Sequence, residues 1–136
     1  MMSVEMELSR IFIRELTDLQ FIELQEVDGE RTFPIAIGLP EAQAIERRLK
    51  GIHYHRPQTH DLLANVIEAF DATLDRIEIH DLSDNTFFAR LVIRTSDDRE
   101  FEIDSRPSDA IALGAATKSP IYVSETVLEK AIAEEL

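Results

Sequence analysis

Apolar and polar residues alternate from the start of the chain. Val4, Met6 and Leu8, then Ile11 and Ile13, recur at the two-residue period of a strand and predict one or two strands there. A second strand is predicted over residues 19–27 and a third over 32–37, joined by a turn carrying the Asp28-Gly29 hairpin signal. From Pro40 the period lengthens, and a helix is predicted to Lys50 with Gly51 closing it. The same order then recurs: strands near 74–81, 87–95 and 99–104, with a turn at Ser96-Asp97-Asp98, and a helix over 107–118. Two helices fall outside this repetition. Thr59 is positioned to cap one in which Leu62, Leu63, Val66, Ile67 and Phe70 share a face. Ser124 is positioned to cap a short last one carrying Val127, Leu128 and Ile132, after a strand over 120–123.

The repetition extends to individual residues. Positions 11–21 align without gaps on 77–87, sharing Ile-x-Ile, an acid (Glu15, Asp81), Leu16/Leu82, a hydroxyl (Thr17, Ser83), Asp18/Asp84 and Phe21/Phe87. After a slip of two residues, 30–35 sits on 98–103 and Glu41-Ala42-Gln43-Ala44 on Asp109-Ala110-Ile111-Ala112. Two similar hairpins share alternating apolar residues in any case. The match reaches non-core positions and a following helix, however, and reads as an internal duplication over about 11–50 and 77–118. The predicted fold is a single α+β domain spanning 1–136. It comprises two β-β-β-α units of antiparallel strands, helices packed against the sheet, and two extra helices. Phe21, Phe33, Phe87 and Phe101 are expected at matching buried positions.

The copies part where a site would be built. The first reads Ala36-Ile37-Gly38-Leu39-Pro40 and the second Asp104-Ser105-Arg106-Pro107-Ser108. Pro107 favours an extended Arg106 and then a helix start, which puts Ser108 and Asp109 in the first turn. Helix capping accounts for Ser108 and Asp109 as well as function does. It does not require Asp104 or Arg106. Arg106 either bridges to Asp104 or Asp109, or offers its planar fork to a phosphate. Asp84, matched by Asp18, reads as a turn residue; Asn85, matched by Leu19, is the more informative of the pair. His60 and Asp61 fall in the first turn of an unrepeated helix, His60 as a proton donor or acceptor near neutral pH.

Composition narrows the chemistry. With no cysteine, disulfides, thiolate metal sites and cysteine nucleophiles are excluded. No signal-peptide pattern and no apolar run near the ~18 residues of a membrane helix is present, so a soluble cytoplasmic protein without membrane contact is expected. The net charge of −13 is spread along the chain, and the only basic cluster is Arg47-Arg48-Leu49-Lys50. Nucleic-acid binding by charge alone needs a basic stripe, which this sequence lacks. No serine-hydrolase elbow, Walker loop, dinucleotide fingerprint or His-Glu-x-x-His helix occurs, so no organic cofactor is expected. Carboxylates with a divalent metal remain the available catalytic tools.

Three segments, Arg56-Pro-Gln-Thr-His-Asp-Leu-Leu63, Asp84-Asn-Thr-Phe-Phe-Ala-Arg90 and Asp104-Ser-Arg-Pro-Ser-Asp-Ala-Ile-Ala-Leu113, resemble the bifunctional nuclease family over about residues 4–128. Pro120-Ile-Tyr-Val123 completes the signature. Plant members of that family are credited with cutting DNA and RNA. The resemblance implies a nuclease of DNA or RNA, and on that reading Asp104 and Asp109, with Asp61 as a further candidate, are expected to hold Mg²⁺ or Mn²⁺. In that scheme Arg106, Ser108 and Asn85 bind substrate, and His60, Asp61 and Arg106 carry the chemistry. A non-enzymatic intracellular binding or regulatory module using the same pocket or an oligomer interface is the competing expectation. The small-residue run Ala110, Ala112, Gly114, Ala115 and Ala116 packs either on the domain's own sheet or on a second copy; a homodimer or a multiple of one is expected.

Overall fold

A computed structural model of the chain describes residues 2–14 and 16–135. Its elements run β1(Ser3–Phe12), β2(Gln20–Glu26), β3(Thr32–Ile37), α1(Leu39–Leu49), α2(Thr59–Ala69), β4(Ala72–Ser83), β5(Thr86–Thr95), β6(Glu100–Ser105), α3(Pro107–Ala115), β7(Ile121–Ser124) and α4(Glu125–Glu135). All seven strands form one mixed sheet in the order β3-β2-β1-β7-β4-β5-β6. The α+β class stands. The two antiparallel units occupy the two halves of the sheet, and β7 joins them, antiparallel to β1 and parallel to β4.

The core lies between this sheet and the helices, with Ile22, Leu24, Phe33, Ile77, Ile79, Val123 and Leu128 fully or almost fully buried. On β5, Ala89, Leu91 and Ile93 face the core, and Val92 between them is fully buried on the other face. On the opposite side, Arg76 pairs with Glu78 and Glu100, and Arg90 with Glu78 and Glu102. Arg94 joins Asp75 and Glu100 in the same ladder. These arginines are therefore spoken for by acids, which accounts for a sheet rich in arginine without a basic stripe.

Several expectations change. Phe33 is fully buried and stacks on Phe87, with ring centroids 5.4 Å apart. Phe101, on the edge strand β6, is 45% exposed. Phe21 alternates with the buried Gln20 and Ile22, so its ring points to the other face and is half-buried. Pairing also revises the repeat. Ile11 pairs with Ile22 whereas Ile77 pairs with Leu91, so in register Ile22 corresponds to Leu91 rather than to Phe88. β4 and β5 continue past this point to a two-residue turn, Asp84-Asn85, where both residues have positive φ. The first unit opens into a wider connection instead. It is fastened by the fully buried Gln20, whose Nε2 donates to the Arg14 and Thr17 carbonyls at 2.9 and 2.8 Å. Glu15, matched with Asp81, lies outside the described residues.

The helices correct two further points. α3 ends at Ala115 rather than Lys118, and Lys118 itself sits at positive φ. Its small residues Ala110, Ala112 and Gly114 are buried in the domain's own core, where a Cβ on Gly114 would meet Ile77 at 2.9 Å. That stripe is not available to a second copy. The cap of α2 is Gln58 rather than Thr59, with Asp61 accepting the Gln58 N–H at 2.9 Å. Among the described residues no helix is long and apolar enough to cross a membrane.

Candidate functional site

The second-unit helix α3 begins at Pro107 with Arg106 as its N-cap, and α1 begins at Leu39 with Gly38 in the same role. Neither cap uses a side chain on its own helix N-terminus. Each helix instead carries an acid in its first turn, Glu41 or Asp109, favoured there by the helix dipole. These are the repeat-equivalent acids, and Arg106 joins them. Its Nε donates to Asp109 Oδ2 at 2.8 Å and its Nη1 to Glu41 Oε1 at 3.2 Å. His60, from the first turn of α2, completes the group: its Nε2 lies 3.0 Å from Asp109 Oδ1. Three separate helix starts thus meet around the Arg106–Asp109 pair.

The pattern of charge is informative. Burial pushes the Asp109 carboxyl up, but the Arg106 and His60 contacts outweigh it and hold it below the usual carboxylate range. The bond to Asp109 raises Arg106 further above its ordinary value, so it is a permanent cation here. With Nε2–H donating to a carboxylate, the neutral form of His60 has Nδ1 as its lone-pair nitrogen. A groove of about 470 Å³ holds these groups, walled by Pro40, Gln43, Tyr54 and Thr59. Beyond the Arg106–Glu41 bridge lies a second groove of about 420 Å³, lined by Gly38, Asn85, Thr86 and Ser108. Arg106 and Glu41 border both. The bridge is a bar across a trough.

Not every expected residue reaches this place. His60, Arg106 and Asp109 meet; Ser108 and Asn85 line the second groove, Ser108 almost fully buried and Asn85 held at the hairpin turn with φ 61°. Asp61 turns away into a structural hub. Arg47 Nη2 donates to both its oxygens at 3.1 Å and Arg48 Nη1 to Oδ1. Burial pushes Asp61 up, but the Gln58 N–H and the two guanidiniums bring its pKa down to about 2. The same Arg48 donates to the Ala112 and Leu113 carbonyls, which α3 leaves free at its C-terminal end. Arg47 and Arg48 of the basic cluster therefore tie α1, α2 and α3 together, while Lys50 is exposed and pairs with Glu46.

Asp104 is exposed on β6 and lines neither groove. The expected Mg²⁺ or Mn²⁺ ligand set of Asp104, Asp109 and Asp61 is accordingly not assembled. Among the described residues no group of three His, Asp or Glu side chains is gathered for a metal. Both Asp109 oxygens are already engaged, and the cation that neutralises Asp109 and Glu41 is the Arg106 guanidinium. The donors do not fit the metal, and no step is derived through one. Glu41 is the site residue missed in the sequence. Its alignment with Asp109 in the repeat was the available signal.

The sequence that builds this fold matches a described family. The model of the bifunctional nuclease domain covers residues 21–135, and the chain belongs to that family. Two uncharacterized Mycobacterium tuberculosis proteins, MT1877 (strain CDC 1551 / Oshkosh) and Rv1829 (strain H37Rv), are each 41% identical over 108 residues. That match takes in 79% of this chain and 63% of each relative, so the chain spans less than two thirds of the curated relatives' length.

Proposed function

We propose that the domain acts on nucleic acid by cleaving phosphodiester bonds in the trough around Arg106. The observation that supports this most directly is the His60–Asp109 contact at 3.0 Å beside a guanidinium that is 63% exposed. Asp109 orients the imidazole, and Nδ1 takes a proton from the attacking water or sugar hydroxyl as its oxygen bonds to phosphorus. The bond from phosphorus to the leaving sugar oxygen breaks, and that oxygen takes a proton from water. Arg106 exchanges Glu41 for the phosphate, whose non-bridging oxygens suit its planar fork. The exposed Asn85 and Thr86 extend the surface along which a strand would lie.

The test is cleavage of supercoiled plasmid and of single-stranded RNA, with and without EDTA, by the full chain and by His60→Ala and Arg106→Ala. General acid–base catalysis contributes roughly 10²–10⁴-fold, and losses of that size are expected for His60→Ala. Arg106→Lys restores little, since a point charge does not reproduce bidentate pairing. The EDTA arm reads any divalent contribution. Folded variants that cleave as fast as the parent would remove the proposed site.

The net charge of −13 and the two acids already holding Arg106 favour a second reading, a binding module without catalysis. Oligonucleotide binding that needs Arg106, in a parent chain that cleaves nothing, selects it.

A further inference from the structure

The helix α2 is placed inside out. No residue of α2 is buried. Its core contacts are made by Ala64 and Ile67, while Leu62, Leu63, Val66 and Phe70 face outward. Leu62 and Phe70 are 58% and 78% exposed. At 3.6 residues per turn, Leu62, Val66 and Phe70 stack along one line and Leu63 flanks it. The polar residues Asn65 and Glu68 lie to the side of this strip. A helix that is apolar both toward the core and away from it belongs in the interior of something larger.

We propose that this strip is the interface of a two-fold homodimer, in which α2 of one copy packs antiparallel on α2 of the other. Three features favour a second copy over another partner. The strip is self-complementary: an antiparallel pairing centred near Val66 sets Leu62 of one helix against Phe70 of the other. Charge matches at the ends. Arg56, exposed and in no ion pair among the described residues, precedes the helix, and the exposed Glu68 and Asp71 stand at its far end. The antiparallel arrangement points Arg56 of each copy toward Asp71 of the other, with Glu68 nearer the axis, and sets the two helix dipoles side by side in opposite directions. The area is also sufficient. The four side chains expose on the order of 400 Å², the size of patch that marks an interaction site. That is about half of the ~800 Å² each partner buries in a standard interface, leaving the remainder to a polar rim. Because α2 begins at the residue before His60, the partner also steadies the helix that positions the imidazole.

The chain has no cysteine, so a single introduced one reports cleanly. Val66→Cys lies at the proposed axis, and Glu129→Cys, exposed on α4, serves as the control. Under mild oxidation the Val66→Cys chain is expected to form a disulfide-linked dimer far faster than the control. Sedimentation of the unmodified full chain at micromolar concentration is expected to give a dimer. Phe70→Glu and Leu62→Glu are expected to raise its dissociation constant at least about thirty-fold, as loss of a hot-spot contact does. Both side chains are exposed, so the urea midpoint measured on monomer should stay in place, which separates dissociation from misfolding. A strictly monomeric chain, cross-linking no faster than the control, or a dimer indifferent to both glutamates would overturn the proposal. Capture of the monomer by phospholipid vesicles through this strip would overturn it too, by assigning the surface to a lipid.

Discussion

The two β-β-β-α units begin from nearly the same pattern and end in different surroundings. In the first, β3 buries Phe33, Ile35 and Ile37; in the second, β6 leaves Phe101 and Ile103 nearly half exposed. Both strands are sheet edges. The difference is what lies over them: Phe33 receives the ring of Phe87 from the β5 end of the opposite hairpin, and β6 has no counterpart. At the strand-to-helix junction the contrast is chemical. Gly38 caps α1 close enough to Glu41 that a Cβ there would sit 2.4 Å from its carboxylate oxygen, whereas Arg106 caps α3 and reaches the acids of both units. The two units thus supply a matched pair of first-turn acids, and the arginine that stands in the second where the first has Gly38 supplies the cation between them.

The comparison is sharpest in stability. Phe33→Ala is expected to cost ~3–5 kcal/mol and Phe101→Ala well under ~1 kcal/mol, read from urea unfolding. Equal costs would mean that β6 is covered in solution, and an effect at Phe101 that appears only in the assembled protein would enlarge the interface.

Next is the Arg47–Arg48–Asp61 hub, whose acid has no repeat counterpart. Asp61→Asn leaves two buried arginines short of a counterion and is expected to cost roughly 3 kcal/mol. Its pKa is about 2 folded, against ~3.9 for an unfolded aspartate. The folded value is depressed, so the stability it contributes is present above about pH 4 and drains away as pH falls from 4 through 2. Urea midpoints between pH 6 and 2 should show that loss in the parent and a flatter profile in Asp61→Asn.

Arg106→Ala is expected to shift stability by less than ~1 kcal/mol, since its ion pairs are solvent-facing. Its effect belongs to binding or cleavage. Unfolding on this substitution would make the bar across the trough a structural brace. The smallest effect is expected at the hairpin that the first unit lacks. Asn85→Gly should be neutral, and Asn85→Ala should cost ~1–2 kcal/mol because φ there is 61°.

Much of the fold was legible because periodicity is local physics. The order of strands and helices, the Asp28-Gly29 turn and the start of α3 at Pro107 follow from backbone preferences and from alternation over a few residues. So does the grouping of Arg106 and Asp109 within one helical turn. Register was not legible: the gapless match of Phe21 on Phe87 is undone by three extra residues of strand pairing, which only the partner strand dictates. The burial of Phe33 and exposure of Phe101 were not legible either, because alternation names a face and says nothing about what covers it. Asp61 and Asp104 show the same division. Both looked like site carboxylates, yet one was drawn into a hub by two arginines on another helix and the other was left facing water. The chain by itself determined its family, its elements and the chemistry available at Arg106, His60 and Asp109, because these reside in residue identity and short spacing. Only the tertiary structure decided that Glu41 joins them, that Asp61 leaves, and that α2 turns its apolar strip outward, because long-range packing alone chooses which faces are buried and which charges meet.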